Sequence, residues 1–330
     1  PTQVRFPSIH SWDGSHGHTT SGTIYQRVTA SDGGSVDLSN LQSVVLPVNL
    51  EDWLEVDLTG GGTVDLSSLA TIPGAGGRFK FDAHTGGNLS LPGLQTVEDT
   101  WFNVDGGGQI SVNGAQPVSY ASNGLVFAIN YVFSAFDAGS SLDLSSITSW
   151  DGSYTHTTSG AISQLVLADG GSIDLSGLAT IVSPTNPEDR LDFTTRNGGS
   201  ILLTALTSVS GAGRTRFDIE AGTSLELPSL QTASEIDFFP SGGGSITIGP
   251  ALLTAPDARF LASGGSVIDA TTASDVAYST RGLTTGSQSV IDATGAGTQV
   301  RLPSIQSWDG SHGHTTSGTI YQRVTASDGG

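Results

Sequence analysis

The residues best suited to chemistry in this chain are carboxylates that recur at fixed places. Asp37, Asp65, Asp143 and Asp174 each sit one apolar residue beyond a Ser or Thr that ends a turn, as in Gly33-Gly34-Ser35-Val36-Asp37 and Gly61-Gly62-Thr63-Val64-Asp65. If the segments carrying them stack, Asp37 lies beside Asp65 and Asp143 beside Asp174. Carboxylates about 4.8 Å apart repel unless a cation, a raised pKa or solvent intervenes. A row of hard oxygen ligands suits Ca²⁺. The plainer reading, and the preferred one, is a solvated acidic ladder of strand-end polar groups, interrupted by Arg5, Ser90, Ser111, Thr247 and Arg301. A second acidic candidate is a loop written twice, Asn49-Leu50-Glu51-Asp52 and Asn186-Pro187-Glu188-Asp189. An amide oxygen with two carboxylates would begin a Ca²⁺ site, but the spacing of an EF-hand loop and the nonapeptide of calcium-binding β-rolls are missing. A polar outer loop inherited through duplication explains it more simply, so no cofactor is expected and Ca²⁺ is the one ion worth testing.

Two other groups invite a chemical reading. His16-Gly17-His18 and His312-Gly313-His314 resemble a metal pair, but the middle copy reads Ser153-Tyr154-Thr155-His156 and keeps one imidazole. An outer bulge with a Trp packed beneath it fits all three copies better. Arg78/Lys80 and Arg214/Arg216 are the basic pairs, each beside Phe-Asp; they read as outward side chains flanking a strand whose alternate residues enter a core. No Ser/His/Asp constellation or phosphate-cradling loop stands out, and the Gly-Gly pairs read as turns. An enzyme is not expected.

Composition narrows the partners. Among 330 residues there are 45 glycines, no cysteine, no methionine and a net charge of −19, with Lys80 the sole lysine. A nucleic-acid or anionic-membrane surface would need a basic stripe, which is lacking. Disulfides and thiolate metal sites are ruled out. No run approaches 18 apolar residues, so no spanning helix is expected. The lack of both oxidisable sulfur residues suits an extracellular or cell-surface setting. Position 1 is not methionine, so a leader or anchor belongs, if anywhere, outside these residues.

The elements that must position these groups are set by repetition at two scales. Residues 2–34 and 298–330 are the same text at an offset of 296, differing only at Phe6/Leu302 and His10/Gln306. Inside that unit a phrase of Gly-Gly-Ser, apolar, Asp, apolar, Ser recurs. Its first apolar residues are Val4, Val36, Val64, Leu89, Ile110, Leu142, Ile173, Ile201, Leu225, Ile246, Val267 and Val300. The opening steps 32, 28, 25, 21 are nearly repeated by 31, 28, 24, 21 from Leu142 onward. The large unit is therefore an older duplication, and Trp12-Asp13-Gly14-Ser15 and Trp150-Asp151-Gly152-Ser153 mark the same place in each half.

Alternation such as Val36-Asp37-Leu38 has the period of a strand with one buried face, and glycine pairs supply the turns. A coil of 21–33 residues buries little alone, so coils must stack. The expected fold is all-β: a parallel β-solenoid, right-handed by the crossover rule, with about 11 coils per 296-residue super-repeat. It runs as one continuous segment over 1–330. Residues 4–141 form a first half of five coils, 142–299 a second half of six, and 298–330 begin the next super-repeat. The phrases Leu91-Pro92-Gly93-Leu94-Gln95-Thr96, Leu227-Pro228-Ser229-Leu230-Gln231-Thr232 and Leu302-Pro303-Ser304-Ile305-Gln306-Ser307 resemble the turns of receptor L-domain-like β-helices. The Gly-Gly-Ser/Thr text is similar to that of giant bacterial surface repeat proteins of the adhesin or autotransporter-passenger type. That resemblance implies a β-helix on a cell surface and brings no ligand or chemistry with it.

The function expected is non-catalytic: a rigid repeat segment of a long extracellular fibre or surface stalk, partnered by further copies of the same repeat. The alternative is an adhesin module touching glycans or another cell through the loops near Trp12, Trp150 and Trp308.

Overall fold

The computed structural model describes residues 2–16, 22–74, 76–122, 129–154, 160–280, 288–302, 305–311 and 321–330. His18, His156, His312 and His314 lie outside them. Among the described residues there is no helix, and the named strands pair in parallel throughout.

Each coil contributes three strands to three faces. Coil 1 is Gln3–Arg5, Ser11–Asp13 and Tyr25–Ala30; coil 2 is Ser35–Asp37, Ser43–Val45 and Trp53–Leu58. The second and third faces are unbroken sheets of 12 strands, one per coil, while the first face is divided into pieces of 3, 5 and 4 strands. Register is one-to-one between most coils, as in Val36 beside Val4 and then Val64, and shifts at Val118/Ser119, Tyr131/Phe133, Val276/Ala277 and Ser289/Ile291. Chain order repeats every third strand, so the fold is a parallel β-solenoid.

The glycine pairs have two separate jobs. The first glycine holds a left-handed φ, as at Gly61 (75°), Gly107 (86°) and Gly198 (79°), where the lack of a Cβ removes the strain most residues would meet. The second permits close approach: a Cβ on Gly62 would lie 2.1 Å from the Ala30 carbonyl oxygen of the coil below, and one on Gly108 1.9 Å from that of Ala83. Glycine-Glycine-Ser is thus both a turn and a stacking requirement.

Inside the cylinder, Val, Leu and Ile from all three faces form one continuous cluster. An aromatic spine runs through it, with Phe81, Phe102, Phe133, Trp150, Phe193, Phe217, Phe238 and Phe260 following one another up the third face and its neighbour. Ring centroids along Phe193, Phe217, Phe238 and Phe260 are 5.3, 5.9 and 5.1 Å apart. Those are coil-to-coil distances at which offset rings attract beyond their area burial.

Candidate functional site

The aspartates of the first face do lie side by side: Asp37 registers with Asp65, and Asp143 with Asp174. Each is already engaged by its own turn. The Oδ1 atoms accept backbone N–H groups two residues on, from Ser39 (3.1 Å), Ser67 (3.0 Å), Ser145 (3.2 Å) and Ser176 (2.8 Å). These are Asx turns, and the Asp-x-Ser phrase is their signature. The Ser39 hydrogen bonds hold the Asp37 carboxyl below its ordinary range. Asp13, Asp151 and Asp309 make the same turn with Ser15, Ser153 and Ser311, each at 2.9 Å.

The duplicated acidic loops divide their residues. Glu51 and Glu188 are exposed, whereas Asp52 and Asp189 are completely buried. Asp52 Oδ1 accepts the Ile24 N–H at 2.8 Å and its Oδ2 the Asn49 amide at 3.2 Å; Asp189 does the same with Ile162 (2.8 Å) and Asn186 (3.1 Å). His16 Nε2 sits 3.3 Å from Asp52. Tyr154, which stands where His16 does, hydrogen-bonds back to the Ile162 carbonyl at 3.3 Å beside Asp189. The aspartate therefore ties the loop before its own third strand to the residue that precedes the third strand of the coil below, in both halves. Among the described residues no three His, Cys, Asp or Glu are grouped to hold a metal ion.

What sequence reading did not foresee is an ion ladder on the outer surface of the third face. Arg27, Glu55 and Lys80 are in register on successive coils. The Arg27 guanidinium reaches Glu55 at 2.5 Å, and the Lys80 ammonium lies 3.3 Å from Glu55 and 2.5 Å from Asp82. Asn103 and Ser134 continue the hydrogen bonds upward from Asp82. His84 adds a pair with Asp105 at 2.8 Å, and these groups line an open groove of about 490 Å³ with Trp101 and Tyr131. In the second half Asp192, Arg216, Asp237 and Arg259 alternate in sign up the same face. Arg259 Nε donates to Asp237 at 2.6 Å, and Arg214 lies 3.2 Å from Glu235. Burial pushes the carboxyls of Asp82 and Asp192 up to about 6 and that of Glu235 up to about 7. The signal was present in the sequence as charged residues at alternate positions of Arg78–Ala83 and Arg214–Ile219, but register decides which of them meet.

Arg78 corrects the expectation of an outward surface arginine. It is fully buried, its guanidinium 5.2 Å from the Trp53 ring centroid and 5.5 Å from that of Trp101. Burial depresses its pKa to about 10. The two tryptophans stand on the coils below and above and meet each other edge to face at 4.6 Å, so the cation lies against both rings of one aromatic pair.

A third constellation recurs where the halves meet. Trp150 Nε1 donates to Ser122 Oγ at 3.2 Å, Ser122 Oγ donates to Gln164 Oε1 at 2.5 Å, and Gln164 Nε2 donates to the Gly152 carbonyl at 3.1 Å. At the end of the unit Trp308, Thr280 and Gln322 repeat the first two links at 3.4 and 2.5 Å. Apart from the Asx turns, which are local to one coil, these arrangements bind one coil to the next; among the described residues none of them brings a nucleophile, base and electrophile stabiliser together. Compared with known protein families, curated proteins and solved structures, the chain matches none of them.

Proposed function

We propose that this chain is a non-catalytic structural segment of a long extracellular fibre or surface stalk of the bacterial adhesin type, built by end-to-end stacking of solenoid coils. The observation that carries it is the position of the last coil. Gln299–Arg301, Ile305–Asp309 and Gln322–Ser327 have the sequence of coil 1 apart from Gln306 and continue all three faces in parallel, with one register shift at Val276/Ala277 and another at Ser289/Ile291. One super-repeat thus ends on a surface that accepts the beginning of the next. Ion ladders, the buried Arg78 and the aromatic spine all serve cohesion between coils, which gives a rod its stiffness, while the Asx turns fix the corners within each coil. The acidic surface, with a net charge of −19, keeps such rods apart in solution.

Electron microscopy of a chain carrying three tandem super-repeats tests the reading. Straight rods whose length grows by about 53 Å per unit, from eleven coils at about 4.8 Å, are expected. Compact particles, or lengths that do not scale with repeat number, would sink it.

A further inference from the structure

Two aromatic side chains in the groove on the third face belong to one half of the molecule only. Trp101 lies on Thr100–Val104, the third strand of coil 4, and Tyr131 on Ile129–Phe136, that of coil 5. On coil 5 Val132 is an extra residue, since Tyr131 registers with Leu165 and Phe133 with Val166. A bulge of this kind re-aims a side chain. Val132 is buried, and Tyr131 is turned outward, 41% exposed, in the groove it shares with the half-buried Trp101. Coil 11 carries the same bulge in Gln288–Thr294, with Val290 as its buried extra residue. There Ser289 stands in the place of Tyr131, and Arg259 of coil 10 in that of Trp101. The same joint therefore forms without either ring, and cohesion between coils does not account for the exposed tyrosine.

The remainder of the groove is polar and already held in place. Asp82, Asn103 and Ser134 are in register on coils 3, 4 and 5. Ser134 Oγ donates to Asn103 Oδ1 at 2.7 Å, and Asn103 Nδ2 donates to Asp82 Oδ1 at 3.1 Å. Four carboxylates, Glu55, Asp57, Asp82 and Asp105, outnumber Arg27 and Lys80 in the lining, so an anionic ligand is repelled. The volume of about 490 Å³ falls within the roughly 300–1,000 Å³ of small-ligand sites.

We propose that this groove binds a neutral, extended β-linked glycan lying along the solenoid axis, with its sugar rings against Tyr131 and Trp101. The C–H face of a pyranose ring is slightly positive and packs on the negative face of an aromatic ring. Side chains on successive strands are about 4.8 Å apart along the axis, close to the advance of one sugar in an extended β-linked chain. Each coil thus meets one sugar. The amide and carboxylates beside the rings offer donors and acceptors to the sugar hydroxyls. Because the chain already holds Asp82, Asn103 and Ser134, little side-chain entropy is lost when they engage a ligand. The groove opens on a lateral face, away from the surfaces by which coils stack, so the proposal does not depend on the rod reading.

Isothermal titration calorimetry of the 330-residue chain tests this with cellohexaose, xylohexaose and chitohexaose. Maltohexaose, a heparin hexasaccharide and spermine serve as coiled, anionic and cationic controls. Saturable binding of at least one of the first three, and of none of the controls, is expected. Tyr131→Ala should weaken that binding about tenfold, whereas Tyr131→Phe, which keeps the ring, should stay within about threefold. Tyr131 is exposed, so both variants should melt at the temperature of the unaltered chain, which circular dichroism checks. Three outcomes overturn the proposal: no binding of any β-linked hexasaccharide, equal or stronger binding of a control, or binding that Tyr131→Ala leaves unchanged. Rod length in electron microscopy is unaffected by any of these, so a failed groove leaves the stacking reading standing.

Discussion

Asp189 and Glu188 are neighbours in one acidic loop, and their stability effects should differ sharply. Asp189→Ala removes a buried acceptor and leaves the Ile162 N–H and the Asn186 amide without one, which costs about 1–3 kcal/mol. Glu188→Ala changes an exposed side chain and should stay within about 0.5 kcal/mol; urea midpoints of the two variants check this. Because the turn aspartates and Asp52 and Asp189 already accept protein N–H groups, thermal melting with and without a chelator should give the same midpoint. A lowered midpoint in chelator would restore Ca²⁺ to the structure. Acidity should act in the opposite sense to the usual carboxylate case. Glu235 has a folded pKa near 7 against an ordinary 4.5, and Asp82 and Asp192 near 6 against 3.8. The folded chain therefore holds these protons more tightly than the unfolded one. Their stabilisation is complete below about pH 4 and is lost as pH rises through 6 to 7. Urea midpoints measured from pH 4.5 to 8 should fall, and Glu235→Gln should flatten the upper part of that fall.

At the scale of the coil, the glycine pair separates two physical demands that look alike in sequence. Gly108→Ala and Gly199→Ala place a Cβ 1.9 and 2.2 Å from the carbonyl oxygens of Ala83 and Ala168 on the neighbouring coil. Neither coil can move without breaking register above and below, so each change should cost well over about 1 kcal/mol. At Gly107 a Cβ would meet nothing within 4 Å, although φ is 86°; Gly107→Asn, which tolerates that conformation, should cost less than Gly108→Ala. Thermal melts of the three variants rank the two demands. The strands themselves were legible because Val36-Asp37-Leu38 and its relatives alternate. The burial of Arg78 was not. Its shelter comes from Trp53 and Trp101 on two other coils, 25 and 23 residues away in the chain, and a pattern with period two carries no information about them.

For the whole molecule, stability is expected to be distributed along the axis, with Trp150 at the middle joint. Trp150 is 1% exposed and touches Tyr120, Phe133 and Phe193. Trp150→Ala should cost about 3–5 kcal/mol. Because contacts are made between neighbouring coils, that loss weakens the link between the two halves more than either half. Calorimetry should then show one transition for the unaltered chain and two for the variant. A single transition merely shifted to lower temperature would mean that cooperativity reaches across the joint without it.

Repetition in the sequence determined the architecture by itself. An apolar–polar alternation that restarts every 21–33 residues after a glycine turn has one economical solution, which is to stack coils so that each buries its neighbour's apolar face. The 296-residue offset likewise placed the twelfth coil before any strand was seen. Tertiary structure alone decided what each polar residue does. Asp37 and Asp189 are both aspartates near turns, yet one caps its own turn at the surface and the other fastens two strands in the interior. Glu55 and Lys80, distant in the chain, become partners because parallel register sets them on adjacent strands. Period fixes which side of a strand a residue occupies. Only the stacking of coils fixes what stands beside it, and in a solenoid that neighbour determines its charge, its hydrogen bonds and its burial.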